Sequence, residues 1–413
     1  MSHDNVAAEP YLREALRICR ERHDEKLAGD VLTDLGTVLR EKQQFTESLA
    51  MYREALDLYR KYEGEEGFRV SSAWLGVANN LANKGDLEGW DDAYTHFLNI
   101  RRKILTIKDP TVQNSQLRLA DIRLRRREYA RAAELLLELH NALKQPDNVD
   151  PERKMESIVT QRLIKLYKSW GKQQETEHWR GAWAELMRDR AAKLSAQIAG
   201  KKDDAALFRA RAGAYSSLGE FDKASSDLTT AISLDPLDYE QWLHGACVLA
   251  YLKDTRAFND HCQSMVDRFK GRRCAAQCCL LVPESPVELK VIIDAADSAA
   301  ASEEGSIIGW SAITKGLAEF RRGRYEQAID WAAKGRDANH EPEEKIEAQL
   351  IIAMANHKLG RNDQAQAAFA EAADQIDKDL PHLGTGENIV VNWLVCHILF
   401  REAKDLIRAP APP

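Results

Sequence analysis

The 413-residue sequence predicts an all-α protein, an α-solenoid of about twenty antiparallel paired helices, and three observations carry that expectation. Ala, Leu, Glu, Arg and Lys dominate, while Gly and Pro are sparse at 22 and 12, a vocabulary that favours helix. Pro110, Pro146, Pro151, Pro236, Pro283, Pro286, Pro342 and Pro381 all fall between apolar-periodic stretches. Proline inside a helix costs about 3 kcal/mol, so this placement marks the joints between helices. The third observation is repetition: Arg13-Glu14-Ala15-Leu16 returns as Arg53-Glu54-Ala55-Leu56, and Leu35-Gly36 as Leu75-Gly76, each forty residues on.

Along the chain, a third unit begins near Leu119-Ala120, so residues 1–199 read as an array of long helix pairs repeating at about 40–44 residues. Gly200-Lys201-Lys202-Asp203-Asp204 is a polar break. From 205 to 407 the units are shorter: Leu218-Gly219 precedes Ala224, Arg322-Gly323 precedes Ala328, and Leu359-Gly360 precedes Ala365 at a constant offset. Pro283 and Pro286 loosen this second array. A helix from about Glu387 to Ile407 caps the end with Trp393, Leu394, Ile398 and Phe400, and the tail 408–413, without apolar periodicity, is expected to be disordered.

Phe208, Ala212, Tyr215, Leu218-Gly219, Phe221, Ala224, Leu228, Ala231 and Pro236 together resemble a near-complete tetratricopeptide repeat. Ala212 and Ala224 would sit where two antiparallel helices cross, since only a small side chain lets backbones approach so closely. Tyr129, Ala132 and Leu136 copy part of this pattern earlier in the chain, and Tyr325, Ala328 and Ala332 copy it later. The order of Leu163 to Trp179, Cys279 to Pro283, Gly316 to Tyr325, Ala353 to Gly360 and Trp393 to Ala403 also resembles the repeat region of planctomycete-type bacterial serine/threonine kinases, although no kinase domain is present. Because Arg13 to Leu16 aligns with the second helix of a unit, the chain opens half-way through a repeat. That helix is expected either to act as a cap or to belong to a longer protein.

Net charge of −7 argues against a general nucleic-acid binder, which carries a basic surface. Membrane partners are not expected either: the longest uncharged apolar run, Asn388 to Phe400, is too short to span a bilayer. Seven cysteines without framework spacing, and an N-terminus without a basic and apolar leader, point to a reduced, cytoplasmic setting.

No glycine-rich phosphate loop, metalloprotease, nucleophile-elbow or kinase catalytic motif occurs, so no catalytic residue and no cofactor is expected. Cys262, Cys274, Cys278 and Cys279, with His261, lack the paired spacing of a zinc site and read as core thiols. Arg125-Arg126-Arg127 reads as a solvated helix end.

What remains is a groove formed by the first helix of each pair. The tetratricopeptide resemblance implies that this groove holds a peptide or partner protein. On that alignment the peptide-binding residues are Thr33, Thr37 and Arg40 in the first full unit, and Asn79 and Asn80 in the second, where an insertion lies around Gly85 to Asp91. Arg209 and Ser216 are their counterparts in the second array. The lysines and asparagines by which some tetratricopeptide domains clamp a carboxylate tail are missing from the matching places.

Overall fold

A computed structural model describes residues 8–145, 153–269, 273–283, 288–301, 308–338, 342–379 and 391–408. Among these residues there are twenty α-helices and no strand. The chain divides into two compact units, Met1–Trp179 and Arg180–Pro413.

In the first unit lie α1 (Glu9–Glu21), α2 (Glu25–Glu41), α3 (Phe45–Glu63), α4 (Phe68–Asn83), α5 (Leu87–Ile104), α6 (Pro110–Arg125), α7 (Tyr129–Leu143) and α8 (Lys154–Ser169). The division falls within α9 (Gln173–Gly200), and the polar stretch Gly200–Asp204 is the turn that follows it. The second unit continues through α10 (Ala205–Ser217), α11 (Phe221–Leu234), α12 (Tyr239–Leu252), α13 (Thr255–Arg268), α14 (Arg273–Cys279), α15 (Leu289–Ala301), α16 (Ile308–Arg321), α17 (Tyr325–Ala338), α18 (Pro342–Lys358), α19 (Asn362–Asp379) and α20 (Val391–Arg408). Helices adjacent in sequence pack as pairs: α2 on α3, α4 on α5, α6 on α7, α10 on α11, α16 on α17 and α18 on α19. This is an α-solenoid of tetratricopeptide-like pairs.

Helix starts follow from local chemistry. Asp24, Asp86, Asp109, Asp204, Asp238 and Asp254 each precede a helix and accept a hydrogen bond from a backbone N–H of its first turn. Such a cap contributes about 1 kcal/mol. Pro110 and Pro342 open their helices at the first position, where a missing N–H costs nothing.

The recurring Leu-Gly pair serves two purposes. Gly219 and Gly360 end helices in the left-handed region, at φ 73° and 74°. Gly36 and Gly76 instead lie inside α2 and α4, facing one tyrosine. A Cβ on Gly36 would come within 2.9 Å of the Tyr52 ring, and one on Gly76 within 2.2 Å. Tyr52 of α3 is thus seated between two helices with only 4% of its surface exposed, and Gly29 admits Tyr59 in the same way.

The second unit meets the crossing expectation: Ala212, Ala224, Ala231, Ala328 and Ala332 are fully buried, with Leu228 and Phe221 around the first crossing. At α16 and α17 the backbones come so close that a Cβ on Gly316 would sit 3.0 Å from the Ala332 nitrogen. Cys262, Cys278 and Cys279 are buried in this unit's hydrophobic core. Residues 409–413 of the tail, and the start of the expected terminal helix before Val391, lie outside the described residues. Arg408, assigned to the tail from sequence, is the last residue of α20.

Candidate peptide-binding surface

The first helices of the first unit, α2 and α4 above all, carry the expected groove residues, and their backbone pattern explains which side chains are free. Thr33, Thr37 and Arg40 follow each other at helical spacing on α2, beside Asp30 and Asp34. The two threonine hydroxyls are engaged inside the protein. Thr33 Oγ1 donates to the Gly29 carbonyl at 3.0 Å and lies 3.1 Å from the Tyr59 hydroxyl. Thr37 Oγ1 reaches the Thr33 carbonyl at 3.1 Å and the Tyr52 hydroxyl at 2.7 Å. Tyr59 in turn donates to Asp30 at 2.9 Å, and burial pushes its phenol up to about 12.

These contacts revise the role expected of Thr33 and Thr37. Their hydroxyls fix the two tyrosines of α3 against α2, so they shape the surface and offer little hydrogen-bonding capacity to a ligand. Asn80 departs further from expectation: it is fully buried, and its amide donates to the Gly76 carbonyl at 2.9 Å. Its neighbour Asn79, 100° around the helix, takes the half-exposed position.

Arg40 and Asn79 are half-buried, Asp34 is exposed, and no hydrogen bond or ion pair within the described residues engages any of the three. Desolvation by the surrounding protein atoms and the neighbouring Asp30 carboxylate push the Asp34 carboxyl above its ordinary range, although its side chain reaches solvent. Arg69 of α4 stands 3.6 Å from Asp30 and ties the acidic side of α2 to α4. Farther along, Arg162 of α8 pairs with Asp121 of α6 at 2.7 Å. The surface is therefore a mixed one, acidic at Asp30 and Asp34 and basic at Arg40 and Arg69.

In the second unit the expected residues are used internally. Arg209 forms an ion pair with Asp238 at the start of α12. Ser216 is fully buried and lies 3.0 Å from His244 Nε2, so it reaches no groove ligand. Arg211, not singled out from sequence, holds Asp227 through two hydrogen bonds of 2.7 Å and pins α10 to α11.

Sequence reasoning missed Asp34, Tyr52 and Tyr59. A signal for the tyrosines was present: Gly29 and Gly36 are seven residues apart, as are Tyr52 and Tyr59 on the facing helix. In the arginine run Arg125 and Arg127 are exposed, as expected of a solvated helix end, but the end is also tied down. Arg126 is paired with Asp91 at 3.0 Å and with Glu128 at 2.8 Å, while Arg125 lies over the Trp90 ring.

A family model described as tetratricopeptide repeat matches residues 2–61, and another of the same description matches residues 210–236. The chain carries tetratricopeptide repeats. One repeat match lies in each compact unit, and neither extends to a kinase-associated region, so the kinase likeness read from sequence gains no support. No curated protein matches the sequence.

Among solved structures, a putative kinesin light chain with tetratricopeptide-like repeats from Podosopora anserina is 17% identical. It covers 49% of this chain and 92% of its own, with a TM-score of 0.34. Yeast Tom70 is 12% identical and covers 99% of this chain and 97% of its own, with a TM-score of 0.37. BtubC from P. vanneervenii is 16% identical, covers 56% and 90% respectively, and has a TM-score of 0.36. Among the described residues no helix is long and apolar enough to cross a membrane, and no three His, Cys, Asp or Glu side chains are grouped to hold a metal ion.

Proposed function

We propose that this chain is a non-catalytic protein-interaction scaffold that holds a peptide or partner protein along the α2–α4 face of its first unit. The observation that supports the reading is a tetratricopeptide unit whose first helices offer Asp34, Arg40 and Asn79 unengaged, on a scaffold fixed by Tyr52 and Tyr59. Asn79 supplies both a donor and an acceptor, which suits the backbone of an extended peptide. Asp34 and Arg40 are six residues apart, about 9 Å along the helix axis and at different angles around it, and would favour a ligand that carries both basic and acidic side chains.

The test is retention of partners from a cell extract by the purified full chain, compared with the Asp34→Ala, Arg40→Ala, Asn79→Ala triple variant. Specific retention by the wild type and its loss in an equally stable variant supports groove binding. Equal retention by both removes this surface from the account. A regulatory or substrate-recruiting role beside a bacterial serine/threonine kinase is a second reading, supported by the order of the sequence segments alone. A kinase domain encoded directly upstream tests it.

A further inference from the structure

The solvent face of α4 carries more than Asn79. Phe68, Ser72, Leu75 and Asn79 follow one another at helical spacing, which brings them within about 60° around the helix axis. Ser72, Leu75 and Asn79 are half-buried, while Phe68 keeps 54% of its surface in water. A single exposed ring needs no explanation; what sets this one apart is the cation that lies on it.

That cation is Arg101, in the last turn of α5. Its guanidinium lies 3.8 Å from the centre of the Phe68 ring and 5.5 Å from that of Phe97. Nη2 donates to Ser72 Oγ at 3.2 Å, its one side-chain hydrogen bond among the described residues, and the Nε–H is buried without an acceptor. The next residue, Arg102, pairs with Glu138 of α7 at 2.7 Å, but no described carboxylate stands within ion-pair distance of Arg101. Asp109, the acid whose charge reaches it, caps α6 instead by accepting from the Thr111 N–H at 2.8 Å. Carboxylates hold Arg13, Arg211 and Arg361 above the ordinary arginine range, whereas burial pulls Arg101 below it.

A partly desolvated cation without a counter-charge is a cost to the folded chain, and a carboxylate brought to it removes that cost. The guanidinium offers a carboxylate two parallel N–H donors, and the Phe68 ring beneath it offers apolar surface to the neighbouring side chain of the same ligand. Arginine and aromatic side chains together are what anchor residues at protein interfaces are made of. One arginine matches the single charge of a carboxylate, whereas phosphorylated segments are held by clusters of them. Asp30 and Asp34 on α2 repel the same acidic group and so leave it to the α4 side of the face.

We infer that Phe68 and Arg101 form an anchor for an acidic and apolar peptide segment of the partner. The carboxylate of an Asp or Glu side chain accepts from Arg101, and an apolar side chain close to it in the ligand covers Phe68 and Leu75. This anchor rests on reading the α2–α4 face as the ligand surface, and adds to it a residue of α5 that an alignment of first helices passes over.

The probes are twelve-residue peptides selected on the purified full chain from a random displayed library. Each is made with a fluorescent label, beside a twin in which every Asp and Glu is replaced by its amide. The wild type should bind the acidic peptide at least about tenfold more tightly than its twin, the loss expected of one hydrogen bond to a charged group. Arg101→Met, which keeps a chain over the rings and removes the charge, should bind the two alike. It should also unfold at the same urea concentration as the wild type, or a higher one. A lower midpoint overturns the inference, because it shows that the arginine serves packing. A tenfold preference that survives in Arg101→Met overturns it too, as does a selection that yields no saturable binder or none with a preference for acid. Binding lost in the Asp34→Ala, Arg40→Ala, Asn79→Ala variant but indifferent to Arg101→Met leaves the α2–α4 reading standing and removes the anchor. Acid-selective binding through Arg101 that the triple variant retains keeps the anchor and removes those three residues.

Discussion

Replacing Gly76 by alanine tests the packing that forms the binding surface. On an open helix the change would stabilise, because alanine is favoured over glycine by up to about 1 kcal/mol. Here the new Cβ would lie 2.2 Å from Tyr52 Cε1, 2.3 Å from Cδ1 and 2.6 Å from Cζ. Carbon atoms rest at about 3.5–4.0 Å, so ring or helix must yield by more than about 1 Å. The ring has nowhere to go, with Gly36 against its other edge and its hydroxyl held by Thr37 at 2.7 Å. Overpacking of this kind costs about 1–3 kcal/mol, and a backbone-supported ring clash belongs at the upper end, leaving a net loss of about 2 kcal/mol after the propensity gain.

Urea denaturation followed by far-ultraviolet circular dichroism reads the loss as an earlier first transition. Gly181→Ala, where the added Cβ meets nothing within 4 Å, is the control and should be neutral or stabilising. Tyr52→Leu in the Gly76→Ala background should recover part of the loss, with a coupling of about 1 kcal/mol or more. A Gly76→Ala protein as stable as the wild type would refute the argument that these glycines exist to admit Tyr52.

Asp91→Ala should lower the stability of the first unit by about 1.5–3 kcal/mol, because Asp91 is 3% exposed and holds both Arg123 and Arg126, at 3.2 and 3.0 Å, while Thr95 and Glu128 remain as their second partners; the urea midpoint measures it. Gln43→Gly should raise stability by up to about 1 kcal/mol, since exposed Gln43 holds φ 62° in the turn before α3 without any gain from its side chain. Acidification should destabilise the protein before its carboxylates titrate. Burial holds the His140 and His261 imidazoles below their ordinary value and pushes His244 down to about 4. A depressed histidine stabilises fully above the unfolded value near 6.5, and that contribution falls away as pH drops from about 6.5 toward 4. Thermal midpoints measured across that interval should decline, and a flat profile would contradict the burial of these rings.

Much of the architecture was legible because the sequence signals are local. Prolines at helix starts, aspartate caps and alanines at helix crossings each act within one pair, and Ala212 with Ala224 sits where spacing put it. The groove residues were less legible because helical phase decides their fate. Asn79 and Asn80 are one residue apart, yet one is half-exposed and the other fully buried. Thr33 and Thr37 have the right phase but face tyrosines supplied by the next helix, a pairing visible only when two heptad spacings are laid against each other. The reach of Arg321 to Glu402, 81 residues away, has no local signature at all. Neither does the cover that α20 gives α18, since the amphipathic pattern of α20 says that one face is buried but not against what.

Whether the α2–α4 face of the first unit holds a protein ligand is read by a hydrogen-exchange footprint of the full chain with a retained partner bound. Protection confined to α2 and α4, and lost in the Asp34→Ala, Arg40→Ala, Asn79→Ala variant, is the predicted result. Protection on α1 and α3 instead, with α2 and α4 exchanging as in the free protein, would contradict it.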